Sequence, residues 1–97
     1  MTDDACKKQF KFDYASYVTD DSGQEQFIFH FENGYGASVI RGRHSYGGIA
    51  GLWELAVLRD GFVYYDSPLT SDVVGWLSDE DVEQYLWRIT FLEAHAV

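Results

Sequence analysis

Lysine and arginine are absent from the long stretch between Arg59 and Arg88. Seven acidic residues fall in that stretch: Asp60, Asp66, Asp72, Asp79, Glu80, Asp81 and Glu83. Over the whole chain of 97 residues, 16 acidic residues stand against 7 basic ones, for a net charge of -9. A charge of this sign opposes direct binding to nucleic acid or to an anionic membrane. It favours a basic protein surface as partner, or it serves solubility alone.

Cysteine and long apolar runs are also scarce. The single cysteine, Cys6, cannot form an internal disulfide and belongs to no CxxC pair, which fits a reducing compartment. No stretch approaches the roughly 18 apolar residues of a membrane span. Residues 1–6 are polar, with neither a basic start nor an apolar run, so we expect no signal peptide and a disordered terminus. These absences predict a protein of the cytoplasm.

Recognisable catalytic motifs are missing too. His44 precedes Ser45, but neighbours in sequence rarely reach triad geometry, and no GxSxG turn surrounds them. His30 lies inside an alternating strand pattern. No HxH, HExxH or Cys–His spacing predicts a metal site, and the glycine-rich segments do not precede a helix that could hold a phosphate. We therefore expect no enzyme, no cofactor and no metal; a small hydrolase that uses His30 or His44 is the weakest alternative.

What the chain does contain is a strong strand pattern. In residues 51–58, GLWELAVL, the side chains of Trp53, Leu55 and Val57 alternate with those of Leu52, Glu54, Ala56 and Leu58. Both sides are mostly apolar, which is typical of a central strand that is covered on both faces. Further alternating segments predict strands at residues 9–18, 26–32, 35–41 and 62–65.

Two dipeptides predict tight hairpins, since both residues of Asn33-Gly34 and of Asp60-Gly61 tolerate the positive φ angles of a type I′ turn. Residues 70–76 give no clear pattern. A helical turn that begins at Thr70 or Ser71 and ends at Gly75 is one interpretation of them.

The last element is a helix. Ser78 is a capping residue, and the acids after it sit at the positive end of the helix dipole. Val82, Leu86 and Ile89 recur at helical spacing, which carries the helix to about Leu92. The sequence thus predicts one α+β domain over residues 1–97, with an antiparallel sheet of about five strands in meander order and a C-terminal helix packed on one face.

The acids after Arg59 are the candidate partner-binding site. A rigid frame would turn them into a directional negative field. Trp87 lies off the apolar stripe of the predicted helix, so we expect it to be partly exposed, as aromatic anchors of protein interfaces are. The predicted site is the set Asp60, Asp66, Asp72, Asp79, Glu80, Asp81, Glu83 and Trp87. Exposure to solvent and helix capping explain the acids equally well without a partner. A position of Trp87 at the edge of the core, with no part in binding, is an equal alternative to its role as an anchor.

Four segments resemble a group of small acidic proteins of phages and prophages: FENGYGASVI at 31–40, SYGG at 45–48, GLWELAVL at 51–58 and YDSPLT at 65–70. The resemblance implies a mobile-element origin and carries over no catalytic residue. Small acidic phage proteins include anti-CRISPR proteins and other DNA mimics. Size, charge and this resemblance together predict an inhibitor that binds a basic surface of a host defence complex, such as a CRISPR effector subunit. The alternative is a phage structural or assembly protein that acts as a homodimer.

Overall fold

The computed structural model describes residues 9–65, 67, 69 and 72–93. Six strands and one α-helix make up this part of the chain. The strands are β1 Ser16–Thr19, β2 Glu25–His30, β3 Tyr35–Arg41, β4 Trp53–Arg59, β5 Phe62–Val63 and β6 Val74–Leu77; the helix is α1 Asp79–Thr90, and a short 3-10 helix spans Gly48–Ala50. The predicted disorder of residues 1–6 lies outside the described residues.

The sheet confirms the predicted α+β architecture. Strands β1 to β5 follow one another as an antiparallel meander, and α1 comes last. β6 adds a sixth strand on the edge of β4 that β5 also uses, with Trp53 opposite Leu77 and Leu55 opposite Val74. The helical turn suggested for residues 70–76 is therefore wrong at its C-terminal part. Pairing with β4 decides the conformation there, and local capping signals do not.

The first predicted strand is shorter than its pattern suggests. β1 begins at Ser16, whereas the alternation begins at Gln9. The preceding residues fold over the sheet instead, and they bury Phe10 edge-to-face against Trp53 and Phe27, with ring centroids 5.2 and 5.3 Å apart. An aromatic contact with the core thus replaces pairing with β2.

The two faces of β4 differ. Trp53, Leu55 and Val57 are buried in one cluster with Val82, Leu86 and Ile89 of α1. α1 therefore covers this face of β4, as the sequence predicted. On the other face, Ala56 and Leu58 are buried among their sheet neighbours, but no helix of the described residues packs there. Both residues are nevertheless buried, as the apolar pattern on the two sides of the strand predicts.

The two hairpin dipeptides also behave differently. Asp60 and Gly61 have φ angles of 53° and 88°, as a type I′ turn requires. In the other hairpin only Gly34 has a positive φ, of 87°, and its N–H bonds to the carbonyl of Phe31. The type I′ prediction is wrong there, because the Phe31–Tyr35 backbone bond closes a loop of three residues, 32–34, with its positive φ at Gly34. The side chain of Asn33 donates to the carbonyls of Ile89 and Leu92. This hairpin is thereby tied to the end of α1.

Candidate functional site: the acidic end of the C-terminal helix

Four of the predicted site residues come together at the start of α1. Asp79, Glu80, Asp81 and Glu83 all belong to its first five residues. With a rise of about 1.5 Å per residue, these four carboxylates share about 6 Å of helix axis. Duplex DNA carries one negative charge per roughly 1.7 Å of its axis, so this end of the helix matches the axial charge density of DNA. We call these four residues the acidic end.

A buried tryptophan fixes the first residue of the acidic end. The side chain of Trp53 is fully buried, and its indole Nε1 donates a 2.6 Å hydrogen bond to Oδ1 of Asp79. The other carboxylate oxygen, Oδ2, accepts a hydrogen bond from Nε2 of Gln9 at 2.8 Å. Both donors are neutral, so the carboxylate keeps its charge while its position is set by the core.

Two further acids are held by backbone groups. Ser78 and Asp81 form a capping box, in which each side chain accepts the other residue's backbone N–H at 3.1 Å. Oε2 of Glu83 accepts the backbone N–H of Lys11 at 3.0 Å. Capping therefore explains the place of Asp81, as the sequence allowed. It does not neutralise the charge, since these donors are also uncharged.

The remaining predicted acids lie elsewhere. Asp60 follows the far end of β4, seven residues or about 23 Å along the strand from Trp53, the residue that bonds to Asp79. Charges that far apart are screened from one another at physiological salt, where the Debye length is about 8 Å. Asp72 is exposed before β6 and accepts the backbone N–H of Val73. Asp66 lies outside the described residues.

Trp87 is 57% exposed, as its place off the apolar stripe predicts. Its ring packs against Phe12 at 6.2 Å and edge-to-face on Phe91 at 5.0 Å between centroids. Trp87 and Phe12 form part of an open groove of about 490 Å³, whose lining is completed by Lys11, Glu80, Glu83 and Gln84. The groove runs directly beside the acidic end, so the exposed aromatic and the carboxylates belong to one surface.

The sequence-based site omits Trp76, which lies three residues before Asp79. Trp76 is 65% exposed and has a φ of 61°, in the left-handed region that large side chains rarely occupy. Its N–H bonds to the carbonyl of Tyr46, and a Cβ on Gly47 would lie only 2.8 Å from its Cα. Tight backbone packing thus holds this aromatic outward, next to the acids. The signal in the sequence was a tryptophan three residues before the acids of the helix start.

Other candidate chemistry finds less support. The hydroxyl of Ser45 is buried, accepts the N–H of Gly42 and donates to its carbonyl, so it braces the loop. His44 and His30 are exposed. Within the described residues, no group of three or more His, Cys, Asp or Glu could hold a metal ion. No helix in that part of the chain has the length and apolar character to cross a membrane.

Comparison with protein-family models, curated proteins and solved structures finds no match to this chain.

Proposed function

We propose that the protein is a non-enzymatic inhibitor that places its acidic end in the basic, nucleic-acid-binding surface of a host defence complex. The observation that supports this most directly is the density of acidic groups: four carboxylates lie on one turn and a half of helix. A groove lined with Lys and Arg for phosphates would attract such a surface and be blocked by it. A CRISPR effector subunit is the partner that the resemblance favours.

Rigidity is the second supporting feature. Asp79 is bonded to the buried core, Asp81 belongs to the capping box, and Glu83 is bonded to the segment before β1. Charged groups that are already ordered lose little conformational entropy on binding. Flexible surface acids would serve solubility equally well, but they would not need to be fixed in this way.

The test compares two charge-matched double variants. Glu80→Gln/Glu83→Gln removes two charges from the acidic end and keeps side chains that can accept hydrogen bonds. Glu32→Gln/Glu93→Gln removes two charges near the other end of α1, where Glu32 and Thr90 line a common cavity. Each variant has a net charge of -7. The immobilised proteins are exposed to a bacterial lysate, and the retained complex is identified by mass spectrometry.

We expect the first variant to bind the retained complex at least about tenfold more weakly, with a smaller salt dependence, while the second binds as the parent does. The proposal is wrong if both variants bind equally, or if the retained complex has no nucleic-acid-binding surface.

The edge of β1 favours a second candidate, a homo-oligomeric phage assembly protein. All four residues of β1 are exposed and uncharged, and its outer edge pairs with no strand of the described residues. Such an edge can add a strand from a second copy. Light scattering separates the two functions: an oligomer insensitive to salt and disrupted by Val18→Lys supports assembly, whereas a monomer argues against it.

A further inference from the structure

We propose that the groove beside the acidic end binds an arginine side chain of the partner, stacked on Trp87 and paired with Glu80 and Glu83. This inference rests on the proposed function and names the group that the site recognises. The groove is lined by the aromatic rings of Phe12 and Trp87 together with the two glutamates. A guanidinium group fits both parts, since its plane stacks on aromatic rings and its fork of N–H groups matches a carboxylate.

The helix places these groups on one face. Glu80, Glu83, Gln84 and Trp87 are spaced by three, four and seven residues, so their side chains project in the same direction from α1. The opposite wall is the segment with Lys11 and Phe12. The 3.0 Å bond from the N–H of Lys11 to Glu83 fastens that wall to the helix. Both walls are therefore in place before a ligand arrives.

Glu83 still has room for a ligand after this bond. A carboxylate offers about four lone-pair positions, and the N–H of Lys11 uses one of them at Oε2. Glu80, which lines the same groove, is exposed. The two charges can thus face a single guanidinium group.

The fold already contains the arrangement that we infer. The guanidinium carbon of Arg41 lies 4.0 Å from the ring centroid of Trp53, and its Nη2 pairs with Oε2 of Glu25 at 2.8 Å. An arginine, a tryptophan and a glutamate together form a stable internal unit there. The groove presents the tryptophan and two glutamates of an equivalent unit to the solvent.

Lys11 is the cation of the groove lining, and it opposes the incoming charge. The backbone N–H of Lys11, and not its side chain, bonds to Glu83. The side chain can therefore be changed without loss of that hydrogen bond. We expect Lys11→Met to strengthen arginine binding about two- to threefold, as removal of a like charge at a partly exposed site should.

The experiment follows the three tryptophan indole N–H signals by NMR during titration with the peptide acetyl-Gly-Arg-Gly-amide. The control peptide carries citrulline, which has nearly the shape of arginine without its charge. The Trp53 signal, which comes from a buried and bonded indole, reports whether each variant is folded. Expected results are a saturable shift of the Trp87 signal with arginine and roughly tenfold weaker binding of the citrulline peptide. Glu80→Gln/Glu83→Gln should bind about fivefold more weakly. Trp87→Leu lacks the reporter indole, so its binding is read from the arginine side-chain signals of the peptide, which should stay at their free positions while the Trp53 signal is unchanged.

The proposal is overturned if the citrulline peptide binds as tightly as the arginine peptide, or if the peptide acetyl-Gly-Lys-Gly-amide binds more tightly. It is overturned too if the arginine peptide shifts the Trp76 signal and not that of Trp87. It is also overturned, with the proposed function intact, if Trp87→Leu captures the partner as the parent does while Glu80→Gln/Glu83→Gln does not. If the peptide binds as expected but Glu80→Gln/Glu83→Gln captures the partner as well as the parent does, the proposed function is wrong, while the groove is still an arginine-binding site.

Discussion

The indole nitrogen of Trp53 and Oδ1 of Asp79 are joined by a 2.6 Å hydrogen bond between the centre of the core and the start of the acidic surface. Trp53 begins the central strand, and Asp79 begins the helix that covers it. The same pair therefore serves stability and presents charge. This link makes the orientation of the acidic end a consequence of core packing.

Loss of this bond should destabilise the fold. Asp79→Ala leaves a buried indole N–H without its acceptor, which costs about 1–3 kcal/mol of unfolding free energy. Asp79→Asn keeps an oxygen in place and should lose less than half as much. Glu80→Ala, in the next position and equally exposed, removes a carboxylate that does not bond to Trp53; it serves as the control and should change little. Urea unfolding followed by circular dichroism measures all three; equal stability of the two alanine variants would contradict the account.

Asn33 ties the β2–β3 hairpin to the end of α1. Its Nδ2 donates to the carbonyls of Ile89 and Leu92 at 2.8 and 2.9 Å, and its Oδ1 accepts the N–H of Tyr35. Asn33→Asp removes both donors and turns a negative charge toward the negative end of the helix dipole, which should cost about 2 kcal/mol or more. The same chemical change at exposed Gln84, as Gln84→Glu, is the control. Similar unfolding midpoints for the two variants would show that the tie is unimportant.

The left-handed backbone of Trp76 predicts an unusual order of stability. Glycine adopts a φ of 61° without steric cost, whereas alanine meets a penalty of about 1–2 kcal/mol. Trp76→Gly should therefore be more stable than Trp76→Ala. At Val74, in the same strand but with ordinary backbone angles, the alanine variant should be the more stable one. Thermal unfolding of the four variants tests this, and an alanine preference at both positions would refute the strained conformation.

Asp20 provides a prediction on pH. Hydrogen bonds from the Ser22 hydroxyl, foremost, and from the backbone N–H groups of Gln24 and Ser22 hold the pKa of its carboxyl below the ordinary 3.8. The stability that this carboxylate contributes is then fully present above its unfolded pKa and is lost as pH falls through the lower folded value. An NMR titration of the Asp20 carboxyl should show a midpoint below 3.8, and Ser22→Ala should raise it. A midpoint unaffected by Ser22→Ala would contradict the assignment of cause.

Local patterns in the sequence were sufficient for most of the architecture. The alternation around Trp53 predicted the central strand, and Ser78 with Val82, Leu86 and Ile89 predicted the helix, its cap and its buried face. These features depend on side-chain period and on a capping residue only a few positions away. They are visible without knowledge of tertiary contacts.

Features set by distant contacts were missed. β6 forms because Val74 and Leu77 pair with β4, and the conformation of Trp76 depends on close packing against Gly47. Nothing near these residues in sequence signals either contact. The same holds for the site. The sequence predicted the acidic residues at the start of the helix, but their hydrogen bonds to Trp53 and Lys11 depend on the fold. The separation of Asp60 from these acids depends on the fold as well.

Competition with DNA shows whether this protein occupies the nucleic-acid-binding surface of its partner or another part of it. The complex captured by this protein is purified, and its binding to a labelled duplex oligonucleotide is measured by fluorescence anisotropy with increasing amounts of the parent or of Glu80→Gln/Glu83→Gln. We expect the parent to displace the duplex fully and the variant to need at least about tenfold higher concentration, because the four carboxylates occupy the phosphate site. A stable ternary assembly of the complex, the duplex and this protein, with anisotropy unchanged, would contradict it.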